Sequence, residues 1–301
     1  MGSTRVGSNH FCVVGVPTSV GSHNAGQERA PRAWRRVGLP ERLAEAGLTV
    51  SDVGDLPVRR QRAAPRIDGV RALGQVHTVC SEVADAVADI ASDGRVPLVL
   101  GGDCTITLGV VAGLRRTGPV GLLYFDGDAD LNTPELSGSG VLDTMGITHL
   151  LGGGAASLAD LGGDGRPLVA DEHLALFGFD PAELDEQQWS TLVSRDLFAV
   201  PAPAVRTQPR EQAVRAWERL AARVDRIVLH LDVDVLDTGA FPLANYPHFN
   251  GLSLDEARQC IGVWGGRPEL AGVVITEVNP THDPDDALLR QLLDLLVESL
   301  G

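Results

Sequence analysis

Short apolar runs recur along the chain, and each is followed by a stretch with helical periodicity. Residues 11–16, 96–100, 120–125, 174–177, 226–231 and 271–275 read as strands. Residues 30–46, 66–92, 105–115, 211–224, 253–263 and 285–300 read as helices, the last with leucines at 288, 289, 292, 293, 295 and 296. Strands that are apolar throughout, such as Val120-Gly-Leu-Leu-Tyr-Phe125, are covered on both faces. Alternation of such strands with helices predicts an α/β fold with a mostly parallel sheet between two helical layers. Nothing reads as a linker or an internal repeat, and the glycine-rich segment 152–165 reads as a surface excursion. The expectation is one domain over residues 1–301.

With 44% hydrophobic residues among 301, the chain can bury a large core. Its formal net charge of −15 argues against a nucleic-acid or anionic-membrane partner, both of which need basic surface. The four cysteines, Cys12, Cys80, Cys104 and Cys260, are far apart, and a chain of this size needs no disulfide staples. The first residues lack a signal-peptide pattern, and no apolar run approaches the roughly 20 residues of a membrane span. A cytoplasmic location is therefore expected.

The strand 120–125 runs directly into Asp126, Asp128 and Asp130, three carboxyl groups at every second position. Residues i, i+2 and i+4 share one face of an extended chain. Carboxylates clustered this way repel one another unless a cation sits among them, so the pattern reads either as a solvated acidic strand end or as a divalent-cation site. Their position favours the cation, because ligands bind at the carboxyl ends of strands in open α/β sheets. Three other strand ends carry related residues: Asp103 and Cys104 in a GGDC turn, Asp232 and Asp234 in HLDVDVLD, and Glu277 in TEVNP. A parallel sheet brings all of these to one edge.

These segments, in this order, resemble the ureohydrolase superfamily of arginase, agmatinase and formiminoglutamase. The resemblance covers nearly the whole chain and includes the N-terminal GVPTSVGSHNAGQERAPRAWRRVGL. It implies a three-layer α/β/α sandwich and hydrolysis of a guanidino or amidine C–N bond. It further implies two manganese ions bridged by a hydroxide, although the altered donors leave a single ion or another metal open. By position, Asp126 and Asp232 would bridge the metals, Cys104 and Asp130 would complete one, and Asp128 and Asp234 the other. Glu277 would face the guanidinium. Asn132 and Ser139 match the arginase segment that holds a substrate carboxylate. Asp180 and Glu183, in FDPAE, match the element near the α-amino group. The resemblance also implies a small guanidino-type substrate and a homotrimer or homohexamer.

The departures lie at the reactive centre. Cys104 and Asp128 stand where the family has metal-ligating histidines, and Asp143 stands where it has a third histidine. Tyr246 replaces a small hydroxyl residue near the substrate, and His248, in the same divergent loop, is a further candidate to approach the substrate. None of the eight histidines falls on a family ligand position. Five carboxylates and a thiolate would face the ions, against four carboxylates and two imidazoles in the family. The added charge lowers Lewis acidity and raises the pKa of bound water, and a less basic guanidine, such as N-hydroxyarginine, would compensate. Asp143 has two readings: a buried general acid or base, or a cap for the helix starting near Thr144. Two functions follow: a hydrolase of an arginine-like compound, or an arginase-fold protein with a binding or regulatory role and a reduced metal centre.

Overall fold

The computed structural model describes residues 10–301. Among the described residues there are ten strands: β1 (His10–Gly15), β2 (Thr49–Asp55), β3 (Arg66–Ile67), β4 (Val70–Arg71), β5 (Val96–Leu100), β6 (Gly121–Phe125), β7 (Leu174–Phe177), β8 (Phe198–Val200), β9 (Ile227–Asp232) and β10 (Leu270–Thr276). Eight of them form one sheet in the order β2-β1-β5-β10-β9-β6-β7-β8, with every neighbouring pair parallel. Helices cover both faces, so the expected three-layer α/β/α sandwich is the observed one.

The period-two pattern of the strands sorts their side chains between two cores. Leu123 and Phe125 of β6, and Leu229 and Leu231 of β9, face a core built with Trp34, Trp217, Trp264 and the helix Ala287–Leu300. Leu122 and Tyr124 of β6, and Val228 of β9, face the opposite core under the helices Leu73–Ser92 and Ile106–Arg115. The three tryptophans are buried, and Phe125, Phe177 and Trp264 meet edge to face at 5.2–5.6 Å, so they anchor the first core.

Four segments depart from the sequence reading. The helix expected over 30–46 is two helices, Ala30–Arg36 and Leu39–Glu45, broken at Gly38, whose φ of 82° is left-handed. The stretch 66–92 opens with the β3–β4 hairpin, turned by Asp68 and Gly69 at positive φ, before the helix Leu73–Ser92 begins. The strands β2 and β8 escape a search for apolar runs because they are edge strands: β2 is largely solvent-accessible, and β8 has three residues.

Candidate active site

The central strands β5, β10, β9 and β6 end side by side, and their carboxyl ends carry Cys104, Glu277, Asp232 with Asp234, and Asp126. Close backbone approach makes this possible. A Cβ on Gly102 would stand 2.2 Å from the carbonyl oxygen of Thr18, so only glycine lets the GGDC turn nest there. Buried Asp103 holds that turn by accepting from the Gly21 N–H at 3.0 Å and from the Thr105 hydroxyl. Asp130 and Glu277 both sit at left-handed φ, 48° and 60°, which non-glycine residues adopt only when their surroundings enforce it. For Glu277 the enforcement includes its N–H bond to Gly102 O at 2.9 Å.

A cavity of about 540 Å³ opens over these strand ends, within the usual range for a small-molecule site. Nine carboxyl groups line it: Asp126, Asp128, Asp130, Asp143, Glu183, Asp185, Asp232, Asp234 and Glu277. No lysine or arginine does, so the lining carries a large excess of acid that suits a positively charged ligand. A slightly larger cleft, about 610 Å³, includes Arg115 and Arg166, but both pair with Asp164. It gathers no comparable set of acid–base groups.

Cys104 Sγ makes a short contact with Asp232 Oδ2 and lies 3.9 Å from Asp126 Oδ2. Asp130 accepts from the Tyr124 hydroxyl. Asp128 Oδ1 accepts from the N–H groups of Ala129 (2.6 Å) and Asp130 (3.3 Å). Asp234 Oδ1 accepts from Gly127 N–H at 3.1 Å. Burial, then mutual repulsion, holds Asp126, Asp130 and Asp232 well above the usual carboxylate range. Burial likewise raises the Cys104 thiol, with Asp232 adding to it. Such a cluster holds its protons more tightly than free carboxylates do, and a bound cation displaces them.

Glu277 is 5% exposed; its Oε2 accepts from Gln27 Nε2 at 2.7 Å, while Oε1 has no partner. Asp143 Oδ1 accepts the Cys104 N–H at 2.7 Å, and no side chain caps the short helix Asp143–Met145. Its carboxyl therefore serves the cavity rather than the helix start, and burial beside Asp103 raises its pKa. Asn132 and Ser139 line the cavity, and so does Ser137, which the sequence reading did not single out. Glu183 lines it too, but Asp180 does not: its two oxygens accept from Ala182 N–H and Asn250 Nδ2, and it is buried. Tyr246 stands half-exposed at the mouth.

Two histidines border the cluster, one of them, His248, in the loop singled out from the sequence and the other, His230, not singled out. His248 is buried, with Nδ1 3.0 Å from Glu183 Oε2 and Nε2 3.5 Å from Asp234 Oδ2. Burial works against its charge, but Asp234, then Glu183 and Asp128, outweigh it and lift the ring to about 10. Asp234 is correspondingly held low, the His248 charge overcoming burial. His230 was assigned no role, yet its Nε2 is 3.3 Å from Asp126 Oδ2 and 3.7 Å from Cys104 Sγ. Burial lowers its pKa to about 3, so the ring is neutral. Its signal was present in the sequence: it precedes Asp232 by two positions, as Tyr124 precedes Asp126, and therefore points to the same face one layer deeper.

Two sets of potential metal ligands converge within 4.8 Å among the described residues: Cys104, Asp126, His230 and Asp232; and Cys104, Asp143 and Glu277. The first set, with thiol, imidazole and carboxylate donors, fits a divalent transition metal.

Comparisons with known proteins find relatives over nearly the whole chain. The family model for the arginase family matches residues 9–300. The arginase of Brevibacillus brevis is 28% identical over 295 residues, 98% of each chain. That of Bacillus caldovelox is 29% identical over 281 residues, 90% of this chain and 91% of the other. The crystal structure of arginase from Bacillus cereus superposes with a TM-score of 0.86 at 29% identity, covering 97% of this chain and 99% of that one.

Proposed function

The chain belongs to the arginase family, a family of hydrolases acting on guanidino or amidine bonds, and from that premise we propose that it cleaves the C–N bond of an arginine-like substrate. The observation that carries the reading is Glu277: a buried carboxyl oxygen, without a hydrogen-bond donor, over a cavity lined by nine carboxyl groups and by no lysine or arginine.

A guanidinium entering this cavity gives Oε1 the N–H donor it lacks, and its charge favours ionised Glu277. Gln27 and the bond to Gly102 O keep that carboxylate in place, so the guanidine is held at a fixed angle to Asp126, Asp232 and Cys104. A bound divalent ion supplies Lewis acidity and an activated water at neutral pH. Burial beside Asp103 favours the protonated form of Asp143, which makes it the proton donor for the departing amine. Asn132, Ser137 and Ser139 offer donors to the carboxylate of an amino-acid substrate, and Glu183 offers an acceptor to its amino group. Nothing in the cavity selects a hydroxylated guanidine over a plain one. The trimeric or hexameric assembly and cytoplasmic location belong to this reading on the strength of the resemblance and the four buried free cysteines. No helix among the described residues is long and apolar enough to cross a membrane.

The test is a panel of guanidino compounds, with and without an α-carboxylate, incubated with metal-supplemented protein and scored for urea. Turnover restricted to compounds bearing a guanidine supports the reading. Uniform silence with metal demonstrably bound removes it.

A further inference from the structure

His230 is the buried group beside the reaction centre that the proposed reaction leaves unused. Its ring is fully buried and stacks on Tyr124 with centroids 4.0 Å apart and planes 9° apart. Its Nδ1 is 2.8 Å from Thr107 Oγ1. With that nitrogen engaged, Nε2 faces the cluster, the arrangement in which a hydrogen-bonded imidazole serves as a ligand through its other nitrogen.

The separations matter. His230 Nε2 to Asp126 Oδ2 is 3.3 Å, His230 Nε2 to Cys104 Sγ is 3.7 Å, and Cys104 Sγ to Asp126 Oδ2 is 3.9 Å. Neighbouring donors around a tetrahedral ion with bonds of about 2.0–2.3 Å stand roughly 3.3–3.7 Å apart. The donors therefore sit close to the spacing of a coordination shell, held there by the sheet, by Tyr124 and by Thr107. Asp232, whose Oδ2 takes the Thr276 hydroxyl at 3.1 Å and stands in short contact with Cys104 Sγ, supplies the fourth donor, moving apart from that sulfur to admit the ion.

Building on the reading of a metal-dependent hydrolase, we propose that this chain holds one thiophilic ion, of the zinc type, on Cys104, Asp126, His230 and Asp232. Histidine has not vanished from the centre; it enters from the layer beneath, through β9, to balance a cysteine at the end of β5. The second position expected from the resemblance is not assembled in the same way. The Asp234 oxygen not bonded to Gly127 N–H faces His248 Nε2 at 3.5 Å. Both convergent ligand sets among the described residues contain Cys104, and neither contains Asp128 or Asp234. Mixed thiolate, imidazole and carboxylate donors favour zinc or cobalt over manganese.

The test is metal content and spectroscopy on the full chain. Protein dialysed against equimolar zinc and manganese should retain one zinc per chain and little manganese by plasma mass spectrometry. Loaded with cobalt(II), it should show a thiolate-to-cobalt charge-transfer band and intense tetrahedral d–d absorption. Cys104→Ser should lose the charge-transfer band. His230→Gln should keep it while weakening cobalt affinity at least tenfold, and so serves if the serine variant does not fold. Two manganese ions per chain, or cobalt bound without a thiolate band, would overturn the proposal even if urea is released. One zinc per chain with no guanidine turnover would leave this site standing and remove the hydrolase reading.

Discussion

Replacing His248 by glutamine should produce a loss of stability that depends on pH. The imidazole is 1% exposed, lies between Glu183 and Asp234, and is raised from 6.5 to about 10. That rise corresponds to about 5 kcal/mol of preference for the charged ring in the folded protein. Glu183 is 35% exposed on its side chain, so solvent screens its part, and about 2–3 kcal/mol is the expected net contribution. The sign follows from proton counting. A group whose folded pKa is raised stabilises fully below its unfolded value and loses that contribution as pH rises through the folded value. The gap between native protein and His248→Gln should thus be widest near about pH 6 and close by about pH 10. Urea unfolding of chelator-treated protein, followed by tryptophan fluorescence across that range, measures it. A gap that stays constant with pH would mean that His248 contributes packing alone and that the ion pairs carry no weight.

Glu277→Gln should leave the fold intact and lower turnover by about a hundredfold or more, because an amide holds the guanidinium without opposing its charge; steady-state urea release reads it. Gly102→Ala should cost about 2–4 kcal/mol by forcing the turn off Thr18, a loss that calorimetry would register. Trp264→Ala, which empties the centre of the larger aromatic cluster, should cost about 3–5 kcal/mol without touching the cavity, so any residual folded protein keeps its metal affinity. Because Asp126, Asp232 and Cys104 are all raised, metal binding should release protons, and its affinity should fall as pH is lowered; calorimetric titrations in buffers of different ionisation enthalpy count them.

The central strands and the ligand-bearing strand ends were legible because burial on both faces writes an uninterrupted apolar run, and the aspartates begin where that run stops. The edge strand Thr49–Asp55 was not, since half-solvated edges carry no such run. The break at Gly38 and the hairpin at Asp68–Gly69 depend on left-handed backbone rather than on periodicity. At the site, Asp126, Asp232, Asp234 and Glu277 could be placed by following strands to their ends. His230 carried the same parity signal as Asp232 but was passed over because it lies inside the apolar run. His248 could be singled out as a loop histidine near the substrate, but not its partners: the loop folds it back onto Glu183 and Asp234, residues 65 and 14 positions away. Asp180, adjacent to a cavity residue in a matching motif, is turned away by Asn250, a contact that only the folded loop creates.

The most direct test of the account is urea formation from L-arginine and related guanidino acids by metal-loaded protein, with chelator-treated protein and Glu277→Gln run beside it. The account predicts urea that appears with metal, stops on chelation, returns on metal addition and falls sharply in the variant. Urea release that ignores both chelator and Glu277, or none from any guanidino compound with the metal site filled, would contradict it.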